Sequence, residues 1–187
     1  MKLSEFKAYC LENKIPIITD EALNFIQELI KEKDVKNLLE IGTAYGYSAI
    51  CFSSERTQVD TIEYDEVRYN EAKKWVNHFN ANVNLILADA KIYEGLNKQY
   101  DLIFIDGAKA SYQVFFDKYQ KYLKPGGMIV CDNINFHNLT MDKTRSRSTK
   151  NMIKKLGLFK TFLETTEDFL TEWYDIGDGV TVTTRVK

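Results

Sequence analysis

Five short apolar runs recur along this chain of 187 residues: "NLLEI" (37–41), "VDTIE" (59–63), "VNLIL" (83–87), "DLIFI" (101–105) and "MIVC" (128–131). They are of strand length and rich in Val, Ile and Leu. The segments between them are longer and carry helical spacing, as in Leu23, Ile26, Leu29 and Ile30. Strands that alternate with helices and are buried on both faces imply an α/β fold with a mostly parallel, doubly wound sheet. After the fifth run the pattern changes. The tail "TEWYDIGDGVTVTTRVK" holds two β-rich runs about Gly177-Asp178-Gly179, which predicts an antiparallel hairpin and brings the strand count to seven. Pro125-Gly126-Gly127 predicts a turn that sets the start of "MIVC". The chain has no repeat, low-complexity tract or linker, and its length fits a single domain, 1–187, with the hairpin closing an edge of the same sheet.

Composition narrows the chemistry. Hydrophobic residues make up 44% and charged residues 28%, an ordinary soluble balance. No apolar run approaches the roughly 18 residues of a membrane span, and the polar start "MKLSEFKAYCLENK" is unlike a secretory signal, so a cytoplasmic protein with no membrane partner is expected. Cys10, Cys51 and Cys131 stand apart with no C-x-x-C pair, which argues against a disulfide framework or a zinc site. His78 and His137 make no metal cluster, and nothing supports a Ser-His-Asp triad.

"LLEIGTAYGYS" (38–48) runs from a strand through a glycine turn into a helical segment. Such a turn lets backbone approach a ligand, with a helix terminus behind it that suits polar or anionic groups. Gly42 and Gly46 have three residues between them, so this is not G-x-G-x-x-G, and no P-loop lysine follows. Taken alone, the turn serves strand-helix packing equally well. Glu63, ending the second strand roughly 20 residues later, is where a doubly wound fold offers a carboxylate to ribose hydroxyls. Asp89 follows the third strand, Asp106 the fourth, and Asp132-Asn133 the fifth. Acidic groups at successive carboxyl ends of parallel strands line a ligand crevice.

Asp106, Asp132 and Asn133 form a hard oxygen set suited to Mg²⁺ with positions left for substrate. Asp132-Asn133 by itself also reads as a turn. Lys109, three residues behind Asp106 in "DGAKASY", would be driven toward its neutral form beside a cation, and a neutral amine can take a proton from a hydroxyl. The plainer reading is a solvated lysine at a helix start. Between Asp142 and Lys155 six basic residues face one acid, a run of +5 in a chain of formal charge −2. It would meet a polyanion at one place or form a solvated helix face.

Together these stretches resemble the catechol O-methyltransferase-like family of S-adenosylmethionine-dependent enzymes: "EIGTAYGYS" its cofactor loop, "DGAKASY" its metal-and-lysine stretch, "CDN" its second metal stretch. The likeness runs from about Ile15 to the final hairpin and implies a Rossmann-like methyltransferase fold. It implies that Ile18, Glu40, Gly42, Ser48, Glu63, Asp89, Ala90 and Asp106 bind S-adenosylmethionine, with Glu63 on the ribose and Asp89 and Ala90 bordering the adenine. It further implies that Asp106, Asp132 and Asn133 hold Mg²⁺ or another divalent cation, that Lys109 is the general base, and that Asp106 and Lys109 make up the catalytic pair. Many family members carry a longer N-terminal helical segment; here only "MKLSEFKAYCLENKIPII" precedes the first core helix.

Within the family, "IPII…LLEIGTAYGYSAI" and "ETTEDFLTEWYDIGDGVTV" look most like the bacterial tRNA 5-hydroxyuridine methyltransferases. That likeness implies a tRNA anticodon loop as partner, 5-methoxyuridine at the wobble position as product, and a homodimer. Lys143, Arg145, Arg147 and Lys150 would meet phosphates; an aromatic ring such as Phe136 or Tyr112 could stack on the base, although most of the 22 Phe and Tyr residues belong to the core. The alternative substrate is a small catechol or caffeoyl-type phenol. A non-catalytic RNA-binding module leaves the polar residues at the strand ends unexplained, and a nicotinamide dehydrogenase lacks its third glycine.

Overall fold

The computed structural model describes residues 1–135 and 140–186; Phe136 and His137 lie outside the described residues. The chain folds as two units, Met1–Leu96 and Asn97–Lys187. The first contains α1 (Leu3–Glu12), α2 (Asp20–Glu32), β1 (Asn37–Ile41), α3 (Tyr47–Phe52), β2 (Gln58–Glu63), α4 (Glu66–Phe79) and β3 (Val83–Leu87). The second contains β4 (Tyr100–Ile105), α5 (Tyr112–Tyr119), β5 (Leu123–Cys131), α6 (Arg147–Thr165), β6 (Phe169–Tyr174) and β7 (Val180–Arg185). The seven strands are ordered β3-β2-β1-β4-β5-β7-β6, the α/β sheet that the apolar runs predict.

In the first unit, β1 pairs parallel with β2 and β2 with β3, in the register Leu39↔Asp60 and Thr61↔Leu85. Leu38, Leu39, Ile41, Val59 and Ile62 are all buried, as the near-continuous apolar runs of a parallel sheet require. Thr19 caps α2, its hydroxyl accepting from the Ala22 amide at 3.3 Å, and Leu23, Ile26 and Ile30 supply the buried stripe. The short N-terminal segment is firmly docked. Phe6 of α1 is fully buried, stacked on Trp75 of α4 with ring centroids 4.3 Å apart and tilted against Tyr47 and Phe79.

In the second unit, β4 and β5 are parallel, with Leu102↔Met128 and Ile105↔Cys131 in register. The turn expected before "MIVC" lies inside the strand instead. β5 begins at Leu123, opposite Tyr100, and the register shifts before Leu102, so Lys124–Gly127 form a bulge. Two glycines make this possible. Gly126 sits at φ +73°, and a side chain at Gly127 would lie 2.9 Å from the Lys124 carbonyl. Lys124 Nζ donates to Asp101 Oδ1 at 2.8 Å across the base of the bulge.

The hairpin forms as the sequence predicts. β7 pairs antiparallel with β5 (Val130↔Val182) and β6 with β7 (Thr171↔Thr183), so the later strand of the hairpin is the one that joins the sheet. Beneath it, Phe116 of α5 makes edge contacts with Phe159, Phe162 and Phe169 at centroid distances of 5.9, 5.3 and 5.1 Å. All three cysteines are free thiols. Among the described residues no helix is long and apolar enough to cross a membrane.

Because Phe116 is fully buried at the meeting point of α5, α6 and β6, Phe116→Ala is expected to cost about 3–5 kcal/mol. Urea unfolding monitored by circular dichroism measures this as a lower midpoint with little change in slope.

Candidate active site

The first unit places polar groups at the carboxyl ends of its strands. Gly42 leaves β1 at φ +100°, Ala44 follows at +47°, and Gly46 at +85° caps the start of α3. A side chain on Gly46 would meet Ala72 and Val76 at ordinary contact distances of 3.5 and 3.8 Å, so the glycine is required by its backbone angle rather than by close packing. That weakens the plain strand-helix packing explanation of this glycine. Glu40, fully buried, accepts from the Ser48 hydroxyl on Oε1 and from the Thr61 hydroxyl on Oε2, each at 2.5 Å.

Glu63 has the strongest local anchorage. Its Oε2 accepts from the Thr43 and Ala44 amides at 3.3 and 2.9 Å, and its Oε1 from the Tyr64 and Asp65 amides at 3.0 and 2.9 Å. Sequence reasoning gave this carboxylate a ribose; the structure adds that it ties the glycine turn to the end of β2. Asp89 is exposed and accepts from the Lys91 amide at 2.8 Å, while Ala90 is buried. Tyr64 and Ile92, 72% and 77% exposed, flank Glu63 and Ala90 in the chain and leave apolar surface beside the carboxylates. A charged handle with exposed apolar neighbours suits a nucleoside. Ile18 is buried just ahead of the α2 cap.

In the second unit Asp106 follows β4 and Asp132 follows β5, so the register Ile105↔Cys131 puts the two acids at adjacent strand ends. Burial, then the negative charge of Asp132, pushes the Asp106 carboxyl up to about 7, and Lys109 opposes the rise. Burial also pushes Asp132 up, to about 6, against the Asn133 amide and Lys109, with Asp178 adding repulsion. Asp132 Oδ1 accepts from the Asn133 amide at 2.7 Å; its Oδ2 is buried with no hydrogen-bond partner among the described residues.

Two crowded carboxylates with one buried oxygen unanswered are what a divalent cation would relieve, so the residues fit such an ion. No group of three or more His, Cys, Asp or Glu gathers among the described residues. The donor set is therefore Asp106, Asp132 and the Asn133 amide oxygen, hard ligands for a hard cation. Lys109 begins a 3-10 turn, Lys109–Ser111, against which α6 packs.

Tyr112 is not available to a ligand. It is buried, its ring edge on Phe159 and its hydroxyl donating to the Asp132 carbonyl at 2.8 Å, so its expected stacking role is corrected to support of the acid. Phe136, the other ring considered for stacking, lies outside the described residues. Lys143, Arg145, Arg147 and Lys150 are all exposed, as are Lys154 and Lys155, leading into and along the first turns of α6.

Residues 1–186 match the family described as O-methyltransferase. The chain belongs to that family. The crystal structure of a Staphylococcus aureus protein provisionally named a caffeoyl-CoA O-methyltransferase superposes on this O-methyltransferase chain with a TM-score of 0.93 and 32% identity, covering 99% of this chain and 92% of that one. A Bacillus cereus O-methyltransferase in complex with SAH shares the fold at a TM-score of 0.83 and 23% identity, covering 98% and 90% of the two chains. In sequence the chain is 26% identical to "Probable caffeoyl-CoA O-methyltransferase 3" of Dictyostelium discoideum, over 93% of this chain and 78% of that protein. It spans about half the length, 55% and 54%, of two other curated relatives it matches.

Two outcomes are expected. Glu63→Gln presents one carbonyl oxygen where a carboxylate served four amides, so thermal melts should show a loss of about 2 kcal/mol or more. Asp106 and Asp132 hold their protons more tightly in the folded chain than unfolded, where they ionise near 3.8. Their contribution to stability is therefore present in full below that value and is lost as the pH rises through about 6 and 7. Asp132→Asn removes the unanswered charge, and its cation-free melting temperature at pH 8 should exceed that of the unaltered chain.

Proposed function

We propose that this O-methyltransferase chain transfers the methyl group of S-adenosylmethionine to a hydroxyl that has a second oxygen beside it, with a divalent cation held by Asp106, Asp132 and Asn133. The observation that carries the proposal is the buried, unpartnered Oδ2 of Asp132 next to a second carboxyl pushed up to about 7. When bound, the cation would supply Lewis acidity toward two adjacent oxygens, and the cofactor would supply a sulfonium methyl. Glu40, Glu63 and Asp89, with the turn at Gly42–Gly46, would receive the methionine, ribose and adenine parts. Lys109 would take the proton from the reacting hydroxyl, which leaves the oxygen as the nucleophile. The names of the relatives, together with the SAH bound by the Bacillus cereus protein, support both the cofactor and the reaction class.

Two substrate classes meet the two-oxygen requirement, and each has an observation in its favour. The caffeoyl-CoA names of the relatives favour a catechol or caffeoyl-type phenol. The exposed cations from Lys143 to Lys155 favour a polyanion, and 5-hydroxyuridine of a tRNA anticodon loop carries its hydroxyl beside a carbonyl.

The deciding experiment offers labelled S-adenosylmethionine with hypomodified tRNA carrying 5-hydroxyuridine, or with caffeoyl-CoA or catechol, with Mg²⁺ or with chelator. Cation-dependent transfer to either acceptor supports the reaction class, and the faster acceptor fixes the substrate. Transfer that is indifferent to chelator overturns the cation. Lys109→Ala is expected to lower kcat by roughly 10²–10⁴ on the true acceptor. Arg145→Ala should raise KM for tRNA and leave a small phenol unaffected.

A further inference from the structure

Asn133 is one of five residues other than glycine with positive φ among the described residues, at +57°, and it sits immediately after Asp132. Asn adopts a left-handed turn at little cost, so neighbouring contacts decide whether the turn is held in one place. Here the contacts come from the two residues that follow. The Ile134 amide donates to the Gly179 carbonyl at 3.0 Å, and the Asn135 amide donates to the Asp178 carbonyl at 2.8 Å. These fasten the loop to the turn between β6 and β7.

The side chain of Asn135 is held as well. Its Oδ1 accepts from Lys160 Nζ of α6 at 2.7 Å, and its Nδ2 lies where a side chain on Gly179 would come within 2.5 Å. Gly179, at φ +87°, thus leaves the amide its seat. Lys160 is unlike the other lysines of its helix. Lys150, Lys154 and Lys155 are exposed, whereas Lys160 is half-buried on the side of Leu156 and Leu163, and burial lowers its pKa against the opposing charge of Glu164. Withdrawing an ammonium from water is unfavourable unless it gains a bond, and the bond it gains is to Asn135.

We propose that Asn135, held between Lys160 and the Asp178–Gly179 turn, is a positioning residue that fixes the left-handed turn at Asn133 and so presets Asp132 and Asn133 for a divalent cation. The proposal rests on the reading of that pair as cation ligands. Lys160 acts through Asn135, and its positive charge by itself would oppose cation binding, so the two effects of removing it have opposite signs.

The test uses the full chain and Mg²⁺ alone, titrated by calorimetry without cofactor or substrate. Asn135→Ala and Lys160→Met are expected to weaken Mg²⁺ binding tenfold or more, while Lys160→Arg, which keeps a donor, stays near the unaltered affinity. Hydrogen exchange of the Ile134 and Asn135 amides should accelerate in the cation-free Lys160→Met protein. Unchanged or tighter Mg²⁺ binding in Asn135→Ala, which alters no charge, with a lower melting temperature, would show a purely structural tie and overturn the proposal. An unaltered chain that takes up no Mg²⁺ removes the cation reading itself, and the positioning role falls with it; the Lys160→Arg protein separates loss of the bond from loss of the fold.

Discussion

A carboxylate carried out of water has to be answered by donors or by a cation, and the buried acids at this protein's strand ends are answered in three different ways. Glu40 is met by two hydroxyls and Glu63 by four backbone amides. Asp132 is met by one amide on one oxygen and by nothing described on the other. The first two acids therefore organise their own unit, setting the glycine turn against β2. The third is left poised, and its neighbour Asp106 shares the burden because the parallel register puts both at one edge. Glu40 and Glu63 are thus answered from within their own unit, whereas Asp132 keeps one buried oxygen unanswered among the described residues.

Much of this was legible in the sequence because it follows from period and position. Five apolar runs and a Gly-Asp-Gly turn account for all seven strands, and the acids that end β2 and follow β4 and β5 stand where strand-end logic puts them. The Pro-Gly-Gly bulge was misplaced by the width of a few residues, since a turn signal does not say whether pairing resumes on its far side. Tyr112 proves to be one of the core rings, a choice left open because an aromatic beside a candidate site looks the same in sequence whether its hydroxyl faces a ligand or a carbonyl. Asn135 and Lys160 carried no signal at all. Their bond joins residues in separate elements and depends on a glycine in a third.

The helix α6 shows how one element serves two solvents. Its inward stripe of Leu156, Phe159 and Leu163 completes an aromatic core with Phe116 and Phe169. Its outward face from Arg147 to Lys155 is cationic at the very end where the backbone amides already point positive. No acid in the first turn offsets this. Such an arrangement is tolerated for the sake of an anionic partner or of solvation, and nothing in the core depends on it.

The insertion of β7 between β5 and β6 bears on how the protein is made. β5 emerges from the ribosome long before its antiparallel neighbour, because Val130 must wait for Val182. Until then β5 has an open edge, and the loop carrying Asp132 lacks the Asp178 and Gly179 carbonyls that fasten it. A nascent chain stopped short of residue 178 would thus have every candidate ligand yet lack the two carbonyls that fasten the loop after Asn133. One hairpin therefore does two jobs at once: it closes the edge of β5 and fastens the loop that carries the candidate ligands.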